Sequence, residues 1–333
     1  MAFSSCSHRR WIDLEDCRHC QNRQEYPLQN GLQPGSHYPL VRILVVFSLS
    51  VGTVLDAAIS PYKGKGTGET AMLRGLADLF SPEDILMGDR YYSGYWDIAF
   101  WLERGVDLVS IISVSRKVDF HKGQRLGKED HIVQWKKTAR PEWIDKETAR
   151  NVPATISIRE ARITIETPGF RVKHLLVVTT LTDAELYSKE ELGNLYCQRW
   201  QAELQLRSLK THMGMEKLRC KTPAMVRKEF ASYLLAYNCI RRLRLEAARS
   251  SGLQPREISF KHTLQSLNEF FPRLSPSCNL DHWLSSLLTT VSEVQVANRP
   301  GRREPYTCKL RPKDFPRPKE TRSKFKSRKR QTS

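Results

Sequence analysis

Four side chains that can bind a charged ligand occur at helical spacing in the segment YCQRWQAELQLRSLK, residues 196–210. Tyr196, Arg199, Glu203 and Lys210 are separated by three, four and seven residues. At about 100° per residue, these spacings place all four within a sector of about 60° on one helix. The segment therefore predicts a single stripe that presents a phenol, a guanidinium, a carboxylate and an ammonium group.

Apolar side chains border this stripe on both sides, which an ordinary amphipathic helix does not show. They are Leu195, Leu206 and Leu209 on one flank and Trp200 and Leu204 on the other. This arrangement favours a stripe that faces a cleft. The alternative is a surface helix in which Arg199 and Glu203 form an i,i+4 ion pair, an interaction that contributes only about 0.2–0.5 kcal/mol.

The composition indicates a polyanionic partner. The chain has 333 residues, enough for a sizeable core, and its 54 basic against 36 acidic residues give a net charge of +18. The segment from Arg302 to Arg330 contains 13 basic and three acidic residues, with proline and no helical or strand periodicity. We therefore predict a flexible basic tail over residues 301–333 that binds phosphates without reading bases.

The sequence favours a cytoplasmic protein. Its first twenty residues are polar rather than signal-like, and the most apolar stretch has only about 13 residues between Arg42 and Asp56, too few to span a membrane. Eight cysteines without a secretory context indicate reduced thiols. Cys17 and Cys20 form a CxxC pair, but no second well-spaced pair follows, so unpaired cysteines are favoured over a zinc site.

The central part of the chain alternates between strand and helix patterns, which predicts an α/β fold with a sheet covered on its faces. A hairpin is predicted at about residues 42–60, followed by the helix ETAMLRGLADLF. A short buried strand then ends at Asp89, a second helix stops at Gly105, and another strand follows. Polar groups at the carboxyl ends of such strands are where ligand chemistry collects, and Asp89 occupies such a position.

The residue pattern changes in the next segment of the chain. Residues 114–182 contain strand-like runs separated by charged turns, which predicts a mostly β insertion. Beyond residue 183 the pattern is helical. The first 30 residues read as an altered or disordered N-terminal remnant, and residues 31–300 as the main domain.

Two separated motifs carry a resemblance to a known family. The spacing of the stripe matches the Y-R-E-K signature of the DDE transposases of bacterial insertion sequences of the IS4 type. The stretch VLDAAISPYKGKGTGETAMLRGLADLF, followed by GDRYY, is similar to the approach to that family's second catalytic aspartate. The resemblance implies an RNase H-like (retroviral-integrase-like) core with a mostly β insertion and C-terminal helices.

The resemblance also implies a chemistry. In that family, carboxylates hold two divalent ions, Mg²⁺ or Mn²⁺, for in-line attack of water or a 3′ hydroxyl on a phosphodiester. Carried onto this chain, Asp89 and Glu203 are the expected metal ligands. Tyr196, Arg199 and Lys210 are expected to hold phosphates at the transposon end.

The partners implied are double-stranded DNA, as transposon ends and target, and a second copy of the chain in a homodimeric synaptic complex. Family members that form a hairpin intermediate stack a flipped base on an aromatic residue of the insertion. His174, Trp135 and Trp143 are the candidates here, although core or loop roles fit each tryptophan as well.

The start of the chain departs from the family pattern. Members carry an Asp-Gly-Thr or similar strand that supplies the first aspartate, whereas this chain has WIDLEDCRHCQN, with Asp13 and Asp16 as the nearest acids. Asp13 is the candidate first ligand and Asp56 a weaker one. A truncated or frame-disrupted copy is the working hypothesis. The alternatives left open are an active transposase, an inactive copy, and a catalytically dead DNA-binding remnant of the same fold.

Overall fold

The computed structural model describes residues 2–4, 11–14, 20–27, 39–164 and 174–296, with only the backbone described for 2–4, 11–14 and Cys20. The strands are β1 (Ala2–Ser4), β2 (Trp11–Leu14), β3 (Leu40–Ser48), β4 (Val54–Pro61), β5 (Ile85–Met87), β6 (Asp107–Ile111), β7 (Gln124–Gly127), β8 (Asp130–Lys136), β9 (Thr155–Thr164), β10 (His174–Thr179) and β11 (Lys217–Leu218). The helices are α1 (Cys20–Glu25), α2 (Glu69–Arg74), α3 (Tyr95–Leu102), α4 (Lys146–Asn151), α5 (Lys189–Cys197), α6 (Arg199–Arg207), α7 (Pro223–Ser251), α8 (Phe260–Phe270) and α9 (Leu280–Glu293).

Across these ranges the eleven strands form one mixed sheet. β4 pairs with one edge of β3. β1 and β2 both run antiparallel along β3, β1 beside residues 46–48 and β2 beside residues 40–42. β1 is parallel to β5, and β5 is parallel to β6. From β6 onward the sheet continues through β10, β9, β8 and β7, all antiparallel to their neighbours. The chain is therefore a mixed α/β protein, as the alternating pattern predicts.

Helices cover both faces of this sheet because its central strands are apolar on both sides. Along β3, Val41, Ile43 and Val45 pack into the core beneath α5, α6 and α7. Leu44 and Val46, which point the other way, pack into a second core with α2 and α3. The alternation of a strand thus assigns each side chain to one of two helical layers.

Several predicted elements are confirmed. The hairpin predicted at about residues 42–60 is formed by β3 and β4. The strand expected before Asp89 is β5, and the strand expected after Gly105 is β6. The predicted helix ETAMLRGLADLF is shorter than expected: α2 ends at Arg74, where Gly75 caps it, and a 3₁₀ turn covers Ala77–Leu79.

A buried ion pair lies between β8 and β9. Arg159 donates from Nε and one terminal nitrogen to the two carboxylate oxygens of Asp130, at 2.9 and 2.6 Å. Its other terminal nitrogen donates to the Tyr187 carbonyl at 2.6 Å, just before α5. Lys189, in the first turn of α5, donates to the Lys128 carbonyl. These contacts connect the antiparallel strands to the helix that carries Tyr196.

α7 is held against the β3–β4 hairpin by polar contacts. The Tyr237 hydroxyl donates to the Gly52 carbonyl at 3.0 Å. The Asn238 amide accepts from the backbone N–H of Val54 and donates to its carbonyl, both at 2.8 Å. α8 and α9 pack with the end of α7 in a third apolar cluster. None of the described helices is both long and apolar enough to cross a membrane.

Candidate active site

The predicted stripe does not lie on one regular helix. α5 begins with a capping box, in which Ser188 and Glu191 bond to each other's backbone N–H groups, and it ends at Cys197. α6 starts at Arg199 after an irregularity at Gln198, and residues Ser208–His212 form a π-helical turn. Gln198 and Ser208 keep right-handed helical dihedral angles, so the expected helix is present but is not regular over residues 196–210. A π-turn takes more residues per turn than an α-helix, so it changes the direction of Lys210 relative to an ideal helix.

Asp89 follows β5 by two residues and caps the 3₁₀ turn Arg90–Tyr92. Its Oδ1 atom accepts from the Tyr91 N–H at 2.8 Å, and its carbonyl accepts from the Ser110 hydroxyl at 2.6 Å. Met87 lies in the core beneath α5 and α6. The strand alternation therefore directs Asp89 toward the same layer. Ser110 was not anticipated, because nothing in its local sequence marks it as a support for Asp89.

Glu203 and Asp89 both interact electrostatically with Arg199. The Arg199 guanidinium forms an ion pair with Glu203 at 2.9 Å, and the two side chains are 20% and 24% exposed. Burial acts to lower the pKa of Arg199, but its interactions with Tyr196, Glu203 and Asp89 outweigh that effect and raise the pKa. The i,i+4 pair considered for a surface helix thus exists, but it lies in a half-buried setting.

Tyr196 is a buried member of this group. Burial raises the pKa of its phenol well above the usual value, with Arg199 opposing this effect and Asp89 adding to it. Its ring centroid lies 5.8 Å from the Arg199 guanidinium carbon. The positive charge of Arg90, directly after Asp89 in the GDRYY stretch, acts to lower the pKa of Tyr196. Tyr196 is therefore a neutral phenol that packs against the guanidinium.

Lys210 is placed differently from what the stripe predicts. Its side chain is only 5% exposed, within the π-helical turn. A phosphate contact would require this ammonium group to become more accessible. Trp200 and Leu204, expected to flank the stripe, are 52% and 39% exposed. The apolar border on that side thus faces solvent in the isolated chain.

Asp13 is described by its backbone alone. It pairs with Leu40 of β3, whereas Phe3 of β1 pairs with both Phe47 of β3 and Met87 of β5. Asp89, two residues past Met87, is therefore about five residue positions from Asp13 along the strands, or about 17 Å. The backbone register does not bring Asp13 to Asp89. In the part of the chain with described side chains, no group of three or more histidine, cysteine or acidic residues could hold a metal.

The aromatic candidates of the insertion occupy different environments. Trp135 is buried, donates from Nε1 to Glu160 at 2.7 Å, and carries the Arg116 guanidinium 3.5 Å above its ring. This ring is unavailable for stacking on a base. Trp143 is 41% exposed, but Arg74 stacks on it at 3.7 Å. His174 is exposed at the start of β10, where its Nδ1 atom lies 3.3 Å from the Thr164 hydroxyl.

The chain is similar to proteins of a known family. Residues 5–239 match the model of the family described as "Transposase DDE domain". The chain belongs to the DDE transposase family. It is 26% identical over 304 residues to the transposase InsG for insertion sequence element IS4 of Escherichia coli (strain K12). That alignment covers 89% of this chain and 65% of InsG, so the chain spans slightly less than two thirds of its relative.

Among solved structures, the chain is similar to one described as a cryo-EM structure of the piggyBac transposase synaptic complex with hairpin DNA. The TM-score is 0.41 at 9% identity, and the match covers 80% of this chain and 54% of the other.

DDE transposases generally use divalent metal ions, and two residues described here fit such an ion. Asp89 and Glu203 offer the hard oxygen donors that Mg²⁺ and Mn²⁺ prefer. Glu203 forms an ion pair with Arg199, and the charge of Asp89 contributes to the raised pKa of that guanidinium. Mg²⁺ is commonly held by one or two carboxylates together with substrate phosphates.

Proposed function

We propose that this chain is an insertion-sequence transposase that cleaves DNA at transposon ends and joins it to a target. The observation that carries the proposal is the ion pair of Arg199 with Glu203 beside the buried Tyr196, with the charge of Asp89 affecting the pKa of both Arg199 and Tyr196. Asp89 follows β5 and Glu203 lies on α6, so the two carboxylates come from separate elements. An RNase H-like core with a β insertion and C-terminal helices fits the mixed sheet and both helical layers.

The proposed roles follow from the chemistry of each side chain. Asp89 and Glu203 hold divalent metal, which, when bound, activates water or a 3′ hydroxyl and stabilises the leaving oxygen. Arg199 offers a planar guanidinium that can bind a phosphate through two N–H groups. Tyr196 packs against that guanidinium and restricts its orientation. Lys210 is proposed as a second phosphate contact and His174 as a stacking residue.

The proposed partners are the DNA of the transposon ends and target, and a second copy of the chain in a synaptic complex. We expect the protein to act on DNA in the cytoplasm of a bacterium. Residues 31–300 form the proposed catalytic domain, with the insertion at about residues 114–182, and residues 301–333 form a tail that lies outside the described residues. Mg²⁺ or Mn²⁺ is the proposed cofactor.

A strand-nicking assay tests the proposal. The chain is incubated with labelled duplex DNA carrying the element's ends, with Mn²⁺ or with chelator. Mn²⁺-dependent nicking that is lost in both Asp89→Asn and Glu203→Gln supports the enzyme. Asp78→Asn is the matched control, because Asp78 is an exposed acid in the 3₁₀ turn Ala77–Leu79. Nicking that persists in Asp89→Asn would refute the assigned site.

A second candidate function is a DNA-binding remnant without catalysis. The observation that favours it is the backbone register of Asp13, which lies far along the sheet from Asp89. DNA binding without Mn²⁺-dependent nicking in the wild-type chain would establish this alternative. If nicking occurs, Asp13→Asn tests whether Asp13 supplies the first ligand.

A further inference from the structure

The ion pair between Arg199 and Glu203 has a consequence for the order in which ligands bind. Resting on the proposed function, we propose that Arg199 is a built-in counter-cation that occupies Glu203 until a DNA phosphate takes up its guanidinium. DNA binding then frees Glu203 to bind a divalent ion. Arg199 would thereby make metal binding depend on DNA.

The first step of the argument is geometric. Arg199 and Glu203 lie one helical turn apart on α6, with 2.9 Å between their charged atoms. About four fifths of each side chain is removed from solvent. The guanidinium carbon lies 5.8 Å from the centroid of the Tyr196 ring, and the charge of Asp89 contributes to the raised pKa of Arg199. Arg199 is therefore paired with one proposed metal ligand and interacts electrostatically with the other.

The second step concerns charge. Asp89, Glu203 and Arg199 together carry one net negative charge, so the guanidinium already offsets part of the repulsion between the carboxylates. A divalent ion entering this group meets a positive charge at close range and must compete for the oxygen atoms of Glu203. Like charges in a half-buried site repel more strongly than in water. The ion pair therefore lowers metal affinity in the chain alone.

The third step concerns DNA. A phosphodiester matches the fork of a guanidinium as a carboxylate does, so a DNA phosphate can compete with Glu203 for Arg199. When Arg199 turns to a phosphate, Glu203 loses its counter-cation and its affinity for a divalent ion rises. Thermodynamic linkage then requires the ion to strengthen DNA binding by the same factor.

The test measures Mn²⁺ affinity by electron paramagnetic resonance of the free ion, with and without a short mixed-sequence duplex at low salt. Mn²⁺ held by the DNA itself is subtracted with the complex of Asp89→Asn. The variants are Arg199→Gln, Arg199→Lys and the control Arg207→Gln, which removes an exposed arginine from the same helix.

Each of the four proteins has an expected result. DNA raises the Mn²⁺ affinity of the wild-type chain about tenfold, within the usual range of coupling between sites. Arg199→Gln binds Mn²⁺ about tenfold more tightly than wild type without DNA and shows little further gain with DNA. Arg199→Lys, which keeps the cation, resembles wild type without DNA, and Arg207→Gln retains the full coupling.

Equal Mn²⁺ affinity with and without DNA in the wild-type chain would overturn the inference, as would unchanged or weaker binding in Arg199→Gln. Both results leave the proposed function standing if Asp89→Asn still abolishes Mn²⁺ binding. Failure of the proposed function looks different: the wild-type chain and Asp89→Asn would then bind Mn²⁺ alike under every condition. A circular dichroism spectrum of each variant checks that its helices are intact.

Discussion

The buried ion pair of the insertion allows a quantitative prediction. Replacing Arg159 by Met removes both hydrogen bonds to Asp130 and the bond to the Tyr187 carbonyl. The side chains of Arg159 and Asp130 are 1% and 5% exposed, so the remaining carboxylate is left in an environment that water does not reach. Breaking such a pair costs about 3–5 kcal/mol because one charge stays buried without compensation. We expect Arg159→Met to lower the free energy of unfolding by that amount.

Urea unfolding followed by circular dichroism measures this loss, and the same strand supplies a matched control. Arg162 pairs with Glu129 on the surface, where the two side chains are 41% and 38% exposed. Arg162→Met should therefore change the free energy of unfolding by less than about 1 kcal/mol. The double variant Asp130→Leu with Arg159→Met should recover part of the loss, because neither charge then remains. Equal losses in Arg159→Met and Arg162→Met would refute the reasoning.

Three further predictions address other parts of the chain. Deleting residues 301–333 should reduce the slope of log K for DNA against log salt by about 3.6 if four of its cations contact phosphates, and an unchanged slope removes the tail from DNA binding. Gly88→Ala should destabilise the chain by about 1–3 kcal/mol in urea unfolding, because a Cβ atom would lie 2.5 Å from the buried Tyr92 ring. The substitution should also displace Asp89 and so weaken Mn²⁺ binding. An Mn²⁺ affinity equal to that of the wild type would contradict this displacement. Burial raises the pKa of Tyr237 to about 12, so the contribution of the neutral phenol to stability is fully present below about pH 10 and is lost as pH rises toward 12. Tyr237→Phe should reduce this loss of stability at high pH. A variant with the same dependence of stability on pH as the wild type would contradict the prediction.

The parts of this molecule that sequence predicts well are those governed by local periodicity. An apolar stretch too short to span a membrane and interrupted at Gly52 and Thr53 indicated the β3–β4 hairpin, and a short apolar run with a following acid indicated β5 and Asp89. Spacing along the chain also selected Arg199 and Glu203, which do form a pair. These features depend on neighbours within a few residues, which the sequence displays directly.

What sequence could not predict depends on contacts between distant segments. The irregularity at Gln198 and the π-helical turn at Ser208–His212 alter the ideal spacing of 100° per residue, so the predicted position of Lys210 rested on a regularity that the helix does not keep. The burial of Trp135 depends on Glu160 and Arg116, which approach from other segments. Periodicity contains no information about such partners.

The distribution of charge separates two tasks in this chain. A protein with a net charge of +18 attracts DNA wherever its cations lie, and the segment from Arg302 to Arg330 alone holds 13 of them. At the candidate site, the Arg199 guanidinium is already paired with Glu203 and interacts with the charge of Asp89. These carboxylates offset its positive charge, so Arg199 attracts a phosphate less strongly than an unpaired guanidinium would. Affinity is therefore expected to come mainly from cations outside the site, and a divalent ion held by the proposed ligands Asp89 and Glu203 would add to it.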